Sequence, residues 1–273
     1  MQTSLPQSPR LPDALSHGVA DKRIDILRAI ARTGSISQAA RDVAVSYKAA
    51  WQAVDTLTNL AGVPLVERAV GGVGGGGASL TAQGQQLLDL ADALDEARQA
   101  VQVRWAARQG GTPGPTQAAQ TAYARLSLRT SMRNQLPGEI TALQGHDRIV
   151  RVVVQFGEAG HGGDHATMAA RITQESAELL GLAQGMPVVA LCKATAVRVA
   201  PAAGAAALGA TPGNQLQGPV MAIAPGASGD EVTLGLGGGV QLVGFAAAGC
   251  GLRTGQPAWA VVDETAVVIA LPG

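Results

Sequence analysis

A short phrase occurs twice in this chain. Asn134-Gln135-Leu136-Pro137-Gly138 returns eighty residues later as Asn214-Gln215-Leu216-Gln217-Gly218. Further along, LAQGMPVVA from Leu182 matches LRTGQPAWA from Leu252, and AVRVA from Ala196 matches AVVIA from Ala266, now at an offset of seventy. A segment of about seventy residues has therefore been duplicated in tandem, with unequal spacing between the copies. Short β-rich runs separated by glycine fill both copies: 149–156, 169–173, 187–191 and 196–200 in the first, 232–236, 240–245, 258–262 and 266–271 in the second. Many short strands with frequent turns predict a small β-barrel for each copy. With only 3% aromatic residues against 47% hydrophobic, the cores must be built from Ala, Val, Leu and Ile.

The N-terminal half has a different period. Ile24, Leu27, Ile30 and Ala31 recur at helical spacing after Asp21, and Gly34-Ser35 closes that helix. Ser35 or Ser37 can cap a short second helix over 38–43, Ala44-Val45 makes a turn, and Ser46 caps a third helix from Tyr47 to about Leu60. A short helix, a tight turn and a longer helix have the proportions of a helix-turn-helix, although spacing alone also suits a plain helical bundle. Next, 63–68 and 78–80 read as strands joined by the glycine run 71–77, a hairpin or wing. That run lacks the Gly-Lys-Ser/Thr ending of a phosphate loop, so no nucleotide site is expected there. Thr81 caps a long helix ending near Arg108, whose Leu87, Leu90, Leu94, Ala97, Val101 and Trp105 form an apolar seam suited to a coiled-coil-like dimer contact.

Charge and composition exclude several function classes. The net charge is zero, which argues against general adhesion to nucleic acid or membranes. From Lys22 to Arg68, however, seven Lys or Arg stand against four acids, a local excess of three positive charges. Two cysteines are too few for a disulfide framework and suit a reducing compartment. No apolar leader and no membrane span are expected, so a soluble, cytoplasmic protein is predicted. His146, His161, Asp164 and His165 lie in or near a glycine-rich loop and are read as loop residues rather than metal ligands. Cys192, beside Lys193, is read as a buried strand residue, since no His or acid pairs with it in a catalytic pattern. No catalytic constellation is visible.

The run from Gly34 to Gln85 resembles the LysR-type winged helix-turn-helix. Together with VERAVGGVGGGGASLTAQGQ and the duplicated β half, it resembles the molybdate-responsive transcriptional regulators of the ModE family. The resemblance implies an α+β protein: an N-terminal winged helix-turn-helix with a long dimerisation helix, then tandem molybdate-binding barrels similar to the oligonucleotide-binding fold. The parts are a tail over 1–18, a DNA-binding and dimerisation domain over 19–108 and a linker over 109–121. A first barrel over 122–200, a connector over 201–210 and a second barrel over 211–273 complete the chain.

It further implies an effector, molybdate or tungstate, held by Ser131, Arg133 (through its guanidinium or its backbone N–H), Thr173, Ser176 and Lys193 at a dimer interface with groups from both subunits, and molybdenum enters only as the oxyanion. At a constant offset of seventy, Thr173, Ser176 and Lys193 correspond to Val243, Ala246 and Asp263, while Arg133 corresponds to Gly213, so the second barrel is not expected to hold an anion in the same way. Ser46, Tyr47, Lys48 and Gln52 would face a major groove, with Ser37 and Arg68 on phosphates. The expected protein is a homodimeric repressor of molybdate-uptake genes that binds a palindromic operator in double-stranded DNA. Two other classes remain: a molybdate storage protein, and a LysR-type regulator with another anionic effector.

Overall fold

The computed structural model describes residues 21–68, 77–108, 130–156, 166–201, 213–237 and 239–271. They divide into two compact units, one holding the described residues before 109 together with Glu175–Gly181, the other holding those of 130–174 and 182–271.

In the first unit, helices α1 (Lys22–Thr33), α2 (Ile36–Asp42) and α3 (Tyr47–Ala61) are each started by a side-chain cap. Asp21 accepts from the N–H of Arg23 at 2.9 Å, Ser35 from Gln38 at 3.3 Å and Ser46 from Ala49 at 3.1 Å, each satisfying an otherwise orphaned amide. Of the two serines considered for α2, Ser35 is the cap, and Ser37 lies exposed on the helix. Ile26, Leu27, Ile30, Ala39, Ala50, Ala53 and Leu57 are fully or almost fully buried; the alanines let the three helices approach closely. Ala31, expected on the apolar face, is exposed, and Ile26 and Ala29 take its place.

Strands β1 (Val66–Arg68) and β2 (Ala78–Leu80) pair antiparallel, Val66 with Leu80 and Arg68 with Ala78. The glycine tip of this wing lies outside the described residues. Helix α4 (Ala82–Arg108) starts at Thr81, whose hydroxyl accepts from Gly84 N–H at 3.0 Å and donates to the carbonyl of Pro64 at 2.8 Å. The expected seam splits. Leu87, with Leu88 and Ala91, is buried in the chain's own core beside Leu27, Leu57 and Leu65. Beyond them Leu94 and Val101 are exposed.

The second unit contains both β repeats. The first supplies β3 (Asn134–His146), β4 (Ile149–Phe156), β5 (Ala166–Thr173), helix α5 (Gln174–Leu180), β6 (Pro187–Cys192), a 3-10 turn (Ala194–Ala196) and β7 (Arg198–Pro201), though α5 itself falls largely in the first unit. The second supplies β8 (Gly213–Ala224), β9 (Asp230–Gly235), β10 (Gln241–Ala246), β11 (Pro257–Asp263), a 3-10 turn (Glu264–Ala266) and β12 (Val268–Ala270).

Strand order shows an exchange. The five-stranded sheet of the first repeat runs β12-β6-β3-β4-β5, and the closed barrel of the second runs β10-β7-β11-β8-β9. Each takes its fifth strand from the other repeat, so among the described residues neither repeat builds its five-stranded sheet from its own strands alone. A four-stranded sheet would leave the edges of β6 and β11 unpaired, and the exchange covers both.

The repeated phrase starts the longest strand of each copy. Both long strands carry a bulge, between Ile140 and Ala142 in β3 and between Val220 and Ala222 in β8, which bends the sheet. The shared glycines have a steric reason. A Cβ on Gly138 would lie 2.3 Å from the carbonyl oxygen of Gln155, and one on Gly218 would lie 2.0 Å from that of Gly235. Only glycine permits strands this close.

Candidate functional site

On the first unit, the face of α3 that leaves the core carries the residues expected to read DNA. Tyr47 is 54% exposed, Lys48 is exposed, and Gln52 is half-buried one turn on. Tyr47 stacks edge-on to Trp51 with ring centroids 6.2 Å apart, which holds the first turn of the helix. Within this unit Lys48 Nζ lies 2.7 Å from Glu175 Oε1, and the N–H of Ser46 donates to Glu178 Oε2 at 2.8 Å. Arg68 sits at the end of β1 opposite Ala78.

The five residues expected to bind the oxyanion separate into two groups. Asn134 pairs with Cys192 at the end of the β3–β6 ladder, so Arg133 and Lys193 stand one step beyond it on neighbouring strands, with Ser131 two residues earlier. Arg133 is exposed, Ser131 and Lys193 likewise, and together they form a cationic, hydroxyl-bearing strand end. Thr173 pairs instead with Ile149, whose other partner is His146 at the far end of β3. Ser176 follows three residues later on α5. Thirteen residues of β3 separate the two ends, roughly 40 Å along the curved strand. Moreover β5 packs against the 3-10 turn that follows Asp263, and the turn that follows Lys193 packs against β10. Within the second unit Thr173 therefore does not converge with Arg133 and Lys193.

The strand registers correct the correspondence between the copies. Val153 pairs with Ala169, and its counterpart Thr233 pairs with Val243, which puts β5 and β10 at an offset of 74 residues. Thr173 therefore corresponds to Ala247, not Val243. Ser176 corresponds to no residue of a second helix, because α5 is replaced by the short turn through Ala248–Gly251, and Ala246 is not its counterpart. A constant offset fails because the length difference is divided between the β4–β5 connection and α5. Lys193 and Asp263 do correspond, each standing at the N-cap of a 3-10 turn, and so do Arg133 and Gly213. Asp263 accepts from both the hydroxyl and the N–H of Thr265, contacts that hold its carboxyl below the usual carboxylate range. A carboxylate fixed where the first copy has an ammonium repels an anion.

The paired asparagines of the repeated phrase have no role that the sequence alone assigns. Asn134 donates to the carbonyl of Val243 and accepts from its N–H, both at 2.8 Å. Asn214 does the same with Ala169, donating at 2.8 Å and accepting at 2.5 Å. Each asparagine thus clamps the matching strand of the other repeat. Burial pushes the Cys192 thiol up, with Asn134 opposing by a hydrogen bond, so Cys192 is a buried strand residue as expected. His161, Asp164 and His165 lie outside the described residues, and among the described residues no cluster of His, Cys, Asp or Glu could hold a metal ion. Among the same residues no helix is long and apolar enough to cross a membrane.

A winged helix-turn-helix followed by intertwined β repeats with a cationic strand end defines the class, a helix-turn-helix regulator carrying small-ligand barrels. Comparison agrees on both halves. Residues 22–85 match the bacterial regulatory helix-turn-helix proteins of the lysR family, and residues 130–199 match the TOBE domain. The chain is 38% identical to the molybdenum transport protein ModE of Azotobacter vinelandii, over 93% of each chain. It is 36% identical to the DNA-binding transcriptional dual regulator ModE of Escherichia coli (strain K12), over 91% of this chain and 92% of that one. The molybdenum-pterin-binding protein MopA of Rhodobacter capsulatus is 37% identical over 93% of each. Among solved structures, the cytoplasmic molybdate-binding protein ModG is 34% identical, covering 53% of this chain and 100% of its own, with a TM-score of 0.46. The chain belongs to the ModE family of regulators.

Proposed function

We propose that this protein is a cytoplasmic, homodimeric DNA-binding regulator that senses molybdate or tungstate and represses molybdate-uptake genes. The observation that carries the reading is the placement of Arg133 and Lys193 at one strand end, each one step beyond the Asn134–Cys192 pair, in a chain whose other half exposes Tyr47 and Lys48 on a Ser46-capped helix. A tetrahedral dianion offers four acceptor oxygens. Two cations and the hydroxyls of Ser131, Thr173 and Ser176 are matching donors, and each charge-assisted hydrogen bond contributes about 1.5–3 kcal/mol.

Since Thr173 lies at the opposite end of β3 from the cations, one chain supplies Ser131, Arg133 and Lys193 to a site and its partner supplies Thr173 and Ser176. Ligand binding then favours one arrangement of the dimer, and a dimer matches a palindromic operator. Ser46, Tyr47, Lys48 and Gln52 serve the major groove, Ser37 and Arg68 the phosphates. We assign the protein no enzymatic activity. A storage protein would need only the barrels, and the basic helix-turn-helix half favours the regulator.

Titration calorimetry with molybdate, tungstate and sulfate, beside gel-shift assays on operator DNA, tests this. Lys193→Ala should weaken oxyanion binding roughly ten- to a hundredfold, the loss of one charge-assisted contact. Lys48→Ala should weaken DNA binding and leave oxyanion binding unchanged. Equal heats for sulfate and molybdate, or DNA binding indifferent to Lys48, would overturn the reading.

A further inference from the structure

The guanidinium expected to meet the oxyanion already has a carboxylate on it. Arg133 Nη1 donates to Glu231 Oε2 at 2.6 Å, with the arginine side chain 57% exposed and the glutamate 25%. Glu231 comes from β9, so this contact joins the second repeat to the cationic strand end of the first. Its placement is not shared by the copies. Ala224 pairs with Glu231 in β8–β9 as Gln144 pairs with Arg151 in β3–β4, so Glu231 and Arg151 occupy the same position of the repeat with opposite charge. Arg151 likewise reaches across, to Glu264, at 2.7 Å.

We propose that Glu231 is a built-in counter-anion that competes with the oxyanion for Arg133. This rests on the assignment of Arg133 to the oxyanion site through its guanidinium and not its backbone N–H alone. The charge count decides the sign of the effect. Arg133 and Lys193 together carry two positive charges, which balance a dianion completely. With Glu231 still on the guanidinium the site carries one negative charge too many, and the carboxylate faces the incoming oxygens across a single arginine. Binding therefore requires the ion pair to open or be weakened, which lowers affinity and loosens the tie between β9 and the start of β3. Among the described residues the carboxylate at this strand end is held by Arg133 and not by Lys193, so the two cations play different parts: Lys193 attracts, and Arg133 is released to the ligand.

The test is calorimetric titration of molybdate into the full-length protein and its Glu231→Gln, Arg133→Ala, Lys193→Ala and Arg133→Ala/Glu231→Gln variants. Glutamine keeps the shape of the side chain and removes its charge. Glu231→Gln should bind molybdate roughly two- to fivefold more tightly, the scale of a partly exposed ion pair. The gain should vanish in the Arg133→Ala background. Unchanged or weaker binding by Glu231→Gln would overturn the proposal and make Glu231 a support that positions Arg133. A gain that persists without Arg133 would overturn it too, since it would then be simple repulsion by a nearby charge. If wild-type protein binds no molybdate, or binds it regardless of Lys193, the site assignment itself fails. Thermal melts of each variant, with Glu231→Ala as a second substitution, separate binding effects from loss of fold.

Discussion

Asn134 shows how one side chain can hold two halves of a fold together. It is 1% exposed, and both of its polar ends are spent on the backbone of Val243, more than a hundred residues away. In Asn134→Ala the N–H and carbonyl of Val243 would lose their partners in a dry setting. The expected loss is about 2–4 kcal/mol in urea denaturation, more than a surface substitution would cost. Asn214→Ala should behave alike, because it clamps Ala169 in the same manner. At the opposite extreme stands Lys193, exposed at its strand end. Its replacement should leave stability nearly unchanged while weakening oxyanion binding.

Among the elements, α4 carries two different duties along one helix. Its first turns complete the core of the helix-turn-helix unit through Leu87, Leu88 and Ala91. Farther along, Leu94 and Val101 present apolar surface outward. Leu87→Ala should therefore destabilise the unit by about 2–5 kcal/mol, as a cavity in a packed core does. Leu94→Glu with Val101→Glu should instead leave the fold intact and shift the proposed dimer to monomer, read by sedimentation or light scattering. If the double variant stays dimeric, the second half of α4 is not the dimer contact. The exchanged strands β7 and β12 are the β counterpart of this division of labour, since each closes a sheet built by the other repeat.

At the scale of the whole molecule, a site divided between chains makes a prediction that a site within one chain does not. A protein with Arg133→Ala and Lys193→Ala lacks the cations; one with Thr173→Ala and Ser176→Ala lacks the hydroxyls that the partner contributes. Each alone should bind molybdate poorly. Mixed and allowed to exchange subunits, they should form heterodimers holding one complete site, and each heterodimer should bind half as much molybdate as a wild-type dimer. No recovery after proven subunit exchange would place each site within a single chain. Linkage adds a second expectation: whatever factor molybdate contributes to operator affinity, operator DNA must contribute to molybdate affinity.

Much of this architecture is written in short-range patterns. The caps at Ser46 and Thr81, most of the apolar face of α1 and the paired strands of the wing depend on residues a few positions apart, and the order of the amino acids alone makes them legible. The duplication is legible too, because it is a repetition of the chain itself. The start of β3 is not, since Pro137 and Gly138 look like breakers; the missing N–H of proline and the close strand approach at glycine become acceptable only once β4 and β6 flank them. The exchange of β7 and β12, the split of the length difference between two places and the Glu231–Arg133 pair lie further still from view. Their partners are distant along the chain, and a strand's alternation says which face it buries without saying which edge it will meet. Local patterns determined the elements, and backbone hydrogen bonding between distant edges, decided only in three dimensions, determined how the two repeats share them.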